Sequence, residues 1–226
     1  MVPEVCILDP DGDLSTYLLN SRGAADNKCW ACYHSKMYNF ALENIEIGII
    51  PCIVGASYSV LVAEQLFASG CTLLISVTSS GIINQPSHKS QFALIAEAIR
   101  DEGTSYHYLP PGQPAVLSHS IYTKLNVGTG DESCHYFEAK SWTTDAPYRE
   151  TKTAIESMKK ENVCCVEMEA AALYAFAEAR NKNVVCFAHL TNSMAQVEGD
   201  FEKGEHFGSL DTLNLLSYLL RRLLPL

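Results

Sequence analysis

Ile47-Gly48-Ile49-Ile50-Pro51-Cys52-Ile53-Val54-Gly55 is a β-branched apolar run closed by a glycine. Behind it Val60, Leu61, Ala63, Glu64, Leu66 and Phe67 follow a helical pattern. The order predicts strand, glycine turn, helix. Gly70 is the expected helix stop, and residues 71–77 read as a second apolar strand running into the small polar cluster Thr78-Ser79-Ser80-Gly81. A helix between two such strands predicts a parallel crossover, because a right-twisted strand packs back on its sheet through a helix.

A second unit of the same kind lies later in the chain. Residues 163–166 read as a short strand and residues 169–180 as a helix with Asn181 as its stop. Residues 184–190 read as another buried strand ending at Thr191-Asn192-Ser193, and residues 210–223 as a closing amphipathic helix. Strands alternating with helices predict an α/β fold with a mainly parallel sheet covered on both faces. No repeat or low-complexity block interrupts it, so one domain over residues 1–226 is expected. Ligands of such sheets bind beyond the carboxyl ends of the strands, which directs attention to residues 55–58, 78–81, 167–169 and 192–193.

Composition narrows the function. Sixteen basic against 26 acidic residues give a formal net charge of -10, which repels a phosphate backbone, so nucleic acid is not an expected partner. No run of eighteen apolar residues occurs and the start Met1-Val2-Pro3-Glu4 lacks a basic segment, so no membrane partner and a cytoplasmic location are expected. The nine cysteines are odd in number and several sit in apolar runs, which suits a reducing compartment. Cys29-Trp30-Ala31-Cys32 has the spacing of half a zinc knuckle or of a redox pair, with His34 nearby. No second pair follows, so no metal is expected.

The most informative stretch is Val166-Glu167-Met168-Glu169-Ala170-Ala171-Ala172-Leu173, where two carboxylates flank a methionine as a strand gives way to an alanine-rich helix. Two readings compete. Both glutamates could serve the positive end of a helix dipole while the methionine fills the core. Alternatively, one carboxylate accepts hydrogen bonds from vicinal ribose hydroxyls and the thioether lies against the sugar.

This stretch resembles the ribose-binding signature of the nucleoside phosphorylase family. That family includes hexameric purine nucleoside phosphorylases, uridine phosphorylases and methylthioadenosine/S-adenosylhomocysteine nucleosidases. Gly55-Ala56-Ser57 with Val62-Ala63-Glu64-Gln65-Leu66 is similar to its glycine turn and following helix, residues 76–81 to its phosphate or ribose loop, and Trp142-Thr143-Thr144-Asp145-Ala146-Pro147-Tyr148 to its base-contacting segment. The matches run in family order over residues 47–196, roughly two thirds of the chain. Leu8-Asp9-Pro10-Asp11-Gly12-Asp13 is only loosely similar to a glycine-aspartate phosphate loop, and reads equally as an acidic turn.

The resemblance implies a three-layer αβα fold and cleavage of a purine or pyrimidine nucleoside by phosphorolysis. Glu169 would hold the ribose hydroxyls, Met168 would pack on the sugar, and Glu167 would complete the ribose site. Ser79, Ser80 and Gly81, with Lys36, would bind phosphate. Thr144, Asp145 and Tyr148 would face the base, and Asn192 or Ser193 would act on the leaving group. Nucleoside and inorganic phosphate are the implied partners, with no cofactor beyond phosphate as co-substrate, in a homo-oligomer: dimer, trimer or hexamer.

Two departures open alternatives. Where phosphorylases carry an arginine before the loop this chain has Ser76, and where purine-cleaving relatives carry an aspartic acid it has Asn192-Ser193. A lysine at 36 is a point charge and not a bidentate fork. An amide at 192 hydrogen-bonds an anionic base but transfers no proton. A phosphate-independent nucleosidase or a nucleoside-binding homologue therefore stays open, as does a doubly wound protein sharing only the architecture. His189, on the same apolar strand, reads as a satisfied core or rim group.

Overall fold

A computed structural model describes residues 1–86, 90–125, 136–193 and 203–225. Strand β1 (Val5–Asp9) leads to helix α1 (Asp13–Ser21), and β2 (Ala25–Asp26), β3 (Tyr38–Leu42) and β4 (Ile45–Pro51) follow. Helix α2 (Ala56–Ala68) separates β4 from β5 (Leu73–Ile82). Next come β6 (Phe92–Asp101), β7 (Ala115–Val116), α3 (His119–Leu125), β8 (Phe137–Thr144), α4 (Lys152–Lys160) and β9 (Cys165–Glu167). Helix α5 (Ala170–Arg180), β10 (Asn183–Ser193) and α6 (Ser209–Leu223) complete the chain.

The sheet is mixed, and its longest ladders are parallel. β1 lies between β4 and β5, parallel to both, which is the crossover expected from the strand, glycine turn and helix at Gly55. β5 runs parallel to β10 from Leu73–Asn183 to Ile82–Ser193, and β6 runs parallel to β8. The late unit differs from expectation: β9 does not pair with β10 but lies between β8, parallel, and β5, antiparallel. Since β10 also pairs antiparallel with β6, the strands β5, β10, β6, β8 and β9 close a ring. Closure leaves no free edge in that half of the sheet.

Closure also explains why the polar ends of two strands are not loops. Thr78-Ser79-Ser80-Gly81 remains strand because β10 pairs alongside it, Ser79 opposite His189, and because β9 takes up Gly81 and Ile82. A bulge between Leu190 and Asn192 shifts the register there and brings Asn192 opposite Gly81.

Helix α5 is buried from Ala170 through Ala177, so it is apolar all round, as a helix enclosed by other elements must be. It packs against α2 and against β6, β8 and β10, while α6 packs with α1 and α3. Tyr174, fully enclosed, donates its hydroxyl to the Ile95 carbonyl at 2.6 Å and accepts from the Cys186 N–H at 3.0 Å, which ties α5 to β6 and β10 without an orphaned polar group. No helix among the described residues is long and apolar enough to cross a membrane.

Candidate functional site

The site is built at the point where β9 turns into α5. A helix start leaves backbone N–H groups without intrahelical partners. Here Glu167 supplies them: its Oε2 accepts from the N–H of Glu169 at 2.8 Å and of Ala170 at 2.7 Å, and Thr143 Oγ1 accepts from Ala171 N–H at 3.0 Å. Oε1 of Glu167 accepts from the hydroxyls of Ser141 at 3.0 Å and Thr143 at 2.5 Å. Four donors saturate this carboxylate, so the sequence expectation of Glu167 on ribose is corrected. It holds the helix start in place and has no acceptor direction left for a sugar.

Glu169 is different. It is 2% exposed, yet its Oε1 takes one close bond, from the Gly55 N–H at 2.6 Å, and its Oε2 takes only a long one, from the Met168 N–H at 3.3 Å. The Thr78 hydroxyl also reaches this carboxyl. Gly55 precedes α2 with φ 93°, a conformation that favours glycine, so its N–H is delivered to Glu169 by a turn few other residues adopt. Burial, with the neighbouring Glu167 charge second, raises the Glu169 carboxyl to about 8. Met168, half-exposed, lies between the two acids in sequence.

Around Ser79 the arrangement departs from a phosphate cradle. Asp11 Oδ2 accepts from the Ser79 N–H at 3.0 Å and from the Ser79 hydroxyl at 2.6 Å, so both donors of Ser79, one of the residues expected to bind phosphate, already serve a carboxylate. The cation beside Asp11 is Lys203, almost fully buried, 3.3 Å from Asp11 and 2.5 Å from Asp13. Lys36 instead is exposed, with Asp26 among the charges that feel it. The Ser80 hydroxyl bonds the Thr78 carbonyl at 3.4 Å, and Gly81 lies in the ladder opposite Val166. Asp9, Asp11, Asp13, Thr78, His189 and Lys203 line a cavity of about 20 Å³. That volume accommodates about one water.

His189 borders this cavity. It stacks on Phe92 with ring centroids 4.7 Å apart, and its Nε2 is buried with no hydrogen-bond partner among the described residues. Burial, and after it the Lys203 charge, lowers its pKa. Asn192 is half-buried and its Oδ1 accepts from Thr191 Oγ1 at 3.2 Å; Ser193 ends β10, its side chain outside the described residues.

Thr143 pairs in register with Glu167, and Thr144, in the segment expected to contact the base, is the next residue. Its side chains serve the fold, however. Asp145 accepts from the Gly103 N–H at 2.9 Å, and Thr144 Oγ1 accepts from the Ala146 N–H at 3.2 Å. Tyr148 is fully exposed in the single chain. Cys29, Cys32 and His34 do not form a metal-holding group, and no such group of three occurs among the described residues.

Sequence reasoning missed Lys203 altogether, and it left Asp11 as part of an acidic turn. The repeated acids at 9, 11 and 13 are a signal that a buried cation is needed, but nothing in Glu202-Lys203-Gly204 marks that lysine as the one.

The sheet, the buried glutamate at a helix start and the register around it define one class, and direct comparison agrees. The model of the phosphorylase superfamily matches residues 25–220, and the chain belongs to that superfamily. Among curated relatives, a guanosine phosphorylase of Halorubrum lacusprofundi is 25% identical over 177 residues, 77% of this chain and 69% of the relative. A purine nucleoside phosphorylase of Plasmodium vivax is 27% identical over 131 residues, but that match spans only 56% of this chain and 53% of the relative. In fold, the chain superimposes on a uridine phosphorylase of Vibrio fischeri with a TM-score of 0.79 at 18% identity, covering 97% of this chain and 90% of the other. A purine nucleoside phosphorylase of Toxoplasma gondii, solved with immucillin-H, gives 0.78 at 17% identity over 98% and 92% of the two chains.

Proposed function

We propose that this chain binds a ribonucleoside through Glu169 and cleaves its N-glycosidic bond with water as the nucleophile. Cleavage builds positive charge on the sugar and negative charge on the departing base, so the site must stabilise both as they develop. Glu169 suits the sugar, because a buried carboxylate with free lone pairs on Oε2 accepts from the two ribose hydroxyls and lies against the developing cation. Met168 supplies an apolar surface for the sugar, and the Asn192 amide is a donor for a base leaving as an anion.

The observation that carries the choice of water is the Asp11 carboxylate on both donors of Ser79. Asp9, Asp11 and Asp13 line the cavity beside it and oppose an anion there, although Lys203 pairs with two of them. The names of the curated relatives favour phosphorolysis, which is the second reading. It requires phosphate to displace Asp11 from Ser79 and to take Lys203 as its cation.

The test is to incubate purified protein with purine and pyrimidine ribonucleosides, with and without inorganic phosphate, and to follow free base, ribose and ribose 1-phosphate. Base and free ribose released without phosphate support the proposal. Release that requires phosphate and yields ribose 1-phosphate replaces it with the second reading. Tight nucleoside binding without turnover leaves a binding protein.

A further inference from the structure

We propose that Ser141 and Thr143 are positioning residues for the ribose-binding carboxyl: acting through Glu167, they make Glu169 the acid of the pair that gains and loses the proton. The inference rests on the assignment of Glu169 to ribose. The two hydroxyls lie two residues apart on β8, so they share a face, and they pair in register with Cys165 and Glu167 of β9. Both residues are fully buried, and both donate to Oε1 of Glu167, Ser141 at 3.0 Å and Thr143 at 2.5 Å. Thr143 Oγ1 also accepts from the Ala171 N–H at 3.0 Å, which turns its hydrogen toward the carboxylate.

In a pair of neighbouring buried acids, the hydrogen bonds each one receives decide which of them holds a proton. A proton on Glu167 would face the N–H groups of Glu169 and Ala170 at Oε2, and at Oε1 it would have to turn a buried hydroxyl round. A proton on Oε2 of Glu169 meets only the long bond from the Met168 N–H, at 3.3 Å. Burial raises Glu167, and its donors, Thr143 foremost, oppose that rise; at Glu169 burial is joined by the Glu167 charge. The other titratable groups that feel this pair are the Cys165 thiol of β9, the Tyr174 hydroxyl of α5 and the Cys186 thiol of β10. All three are held well above their ordinary values, Cys165 first by its hydrogen bond with Cys164 and the other two first by burial, so they stay neutral. Removing a hydroxyl donor from Oε1 therefore lets Glu167 take a proton more readily. Its repulsion of Glu169 weakens, and Glu169 ionises at lower pH.

The experiment titrates the Glu169 carboxyl by carbon-13 NMR in the full chain labelled at its glutamate carboxyls, the resonance being assigned by its loss in Glu169→Gln. The parent is expected to titrate at about pH 8. Thr143→Val is expected about one unit lower, Ser141→Ala lower by a smaller step, and Thr143→Ser, which keeps the hydroxyl, at the parent's midpoint. Circular dichroism checks the fold of each variant. Lost stability with an unchanged midpoint, in a folded Thr143→Val or in Ser141→Ala, marks a merely structural role and overturns the proposal. So does Thr143→Ser displaced as far as Thr143→Val, or, whatever the variants do, a parent whose Glu169 titrates in the ordinary glutamate range. Ribonucleoside affinity measured on the same samples tests the underlying assignment separately. Affinity that follows each protein's midpoint supports both, whereas shifted midpoints in a parent and variants that bind no ribonucleoside strike the ribose assignment and the positioning role that depends on it.

Discussion

The backbone N–H of Gly55 donates to Oε1 of Glu169 at 2.6 Å, joining the start of α2 to the start of α5 across 114 positions of sequence. One carboxylate oxygen is thereby fixed, and the other takes only the long bond from the Met168 N–H. Glu167, two residues away, spends both of its oxygens on the protein itself. The division of labour between these acids generates separable outcomes.

Replacing Glu169 by glutamine keeps the volume and, above about pH 8 where the carboxyl is ionised, removes the charge. Losing a hydrogen-bonding partner that carries charge costs about 1.5–3 kcal/mol, so ribonucleoside affinity falls roughly 10- to 100-fold. Turnover falls further, by about 100-fold or more, because the charge is needed most at the transition state. Calorimetric titration and initial rates measure the two effects separately.

Glu167→Ala acts on stability first. It strands two helix N–H groups and two buried hydroxyls, and a loss of about 3–5 kcal/mol is expected from urea unfolding. A variant that unfolds like the parent but fails to bind nucleoside contradicts the capping role.

Stability depends on pH through the same site. Folded Glu169 keeps its proton up to about pH 8, whereas the unfolded chain releases it near 4.5. Between those values the folded state binds more protons, so this contribution is full below 4.5 and is lost as pH rises through about 8. Asp9, raised by burial from 3.8 to about 6, has the same sign over its own lower window. Urea midpoints should fall from about pH 6 to about pH 8 in the parent and stay nearly flat in Glu169→Gln. Ribonucleoside affinity should rise with pH over that interval, because the hydroxyls bind the charged carboxylate.

Asp11→Ala frees the Ser79 N–H and hydroxyl and removes one of the acids from the cavity. Phosphate at millimolar concentration should raise the melting temperature of this variant and leave the parent unchanged. A parent protein stabilised by phosphate to the same degree contradicts the reading of Asp11 as occupant of that position.

Gly208 has φ +75°, and a Cβ there meets the His189 ring and lies 2.7 Å from the Lys203 carbonyl oxygen. Gly208→Ala should destabilise by about 2 kcal/mol or more, read from denaturant midpoints, by pushing the ring and the Lys203 segment apart.

Local pattern along the chain is enough to reveal much of this architecture. The strand and turn at residues 47–55 and the helix behind them follow from apolar spacing and one glycine, and the Glu-Met-Glu stretch locates the site. What escapes such reading depends on partners distant in sequence. Closure of the ring rests on Gly81 meeting Val166, and neither segment signals the other. The two glutamates look alike in sequence, and only Ser141 and Thr143 decide which is saturated. Nothing beside Lys203 in sequence marks it, and its burial follows from Asp11 and Asp13 at the far end of the chain.

The most direct test of the central claim is calorimetric binding of a ribonucleoside and its 2′,3′-dideoxy counterpart to the parent and to Glu169→Gln. The parent is expected to prefer the ribonucleoside by at least about 10-fold, and the variant is expected not to discriminate. Equal binding of both ligands by the parent, or a preference that survives in Glu169→Gln, contradicts the assignment of Glu169 to the ribose hydroxyls.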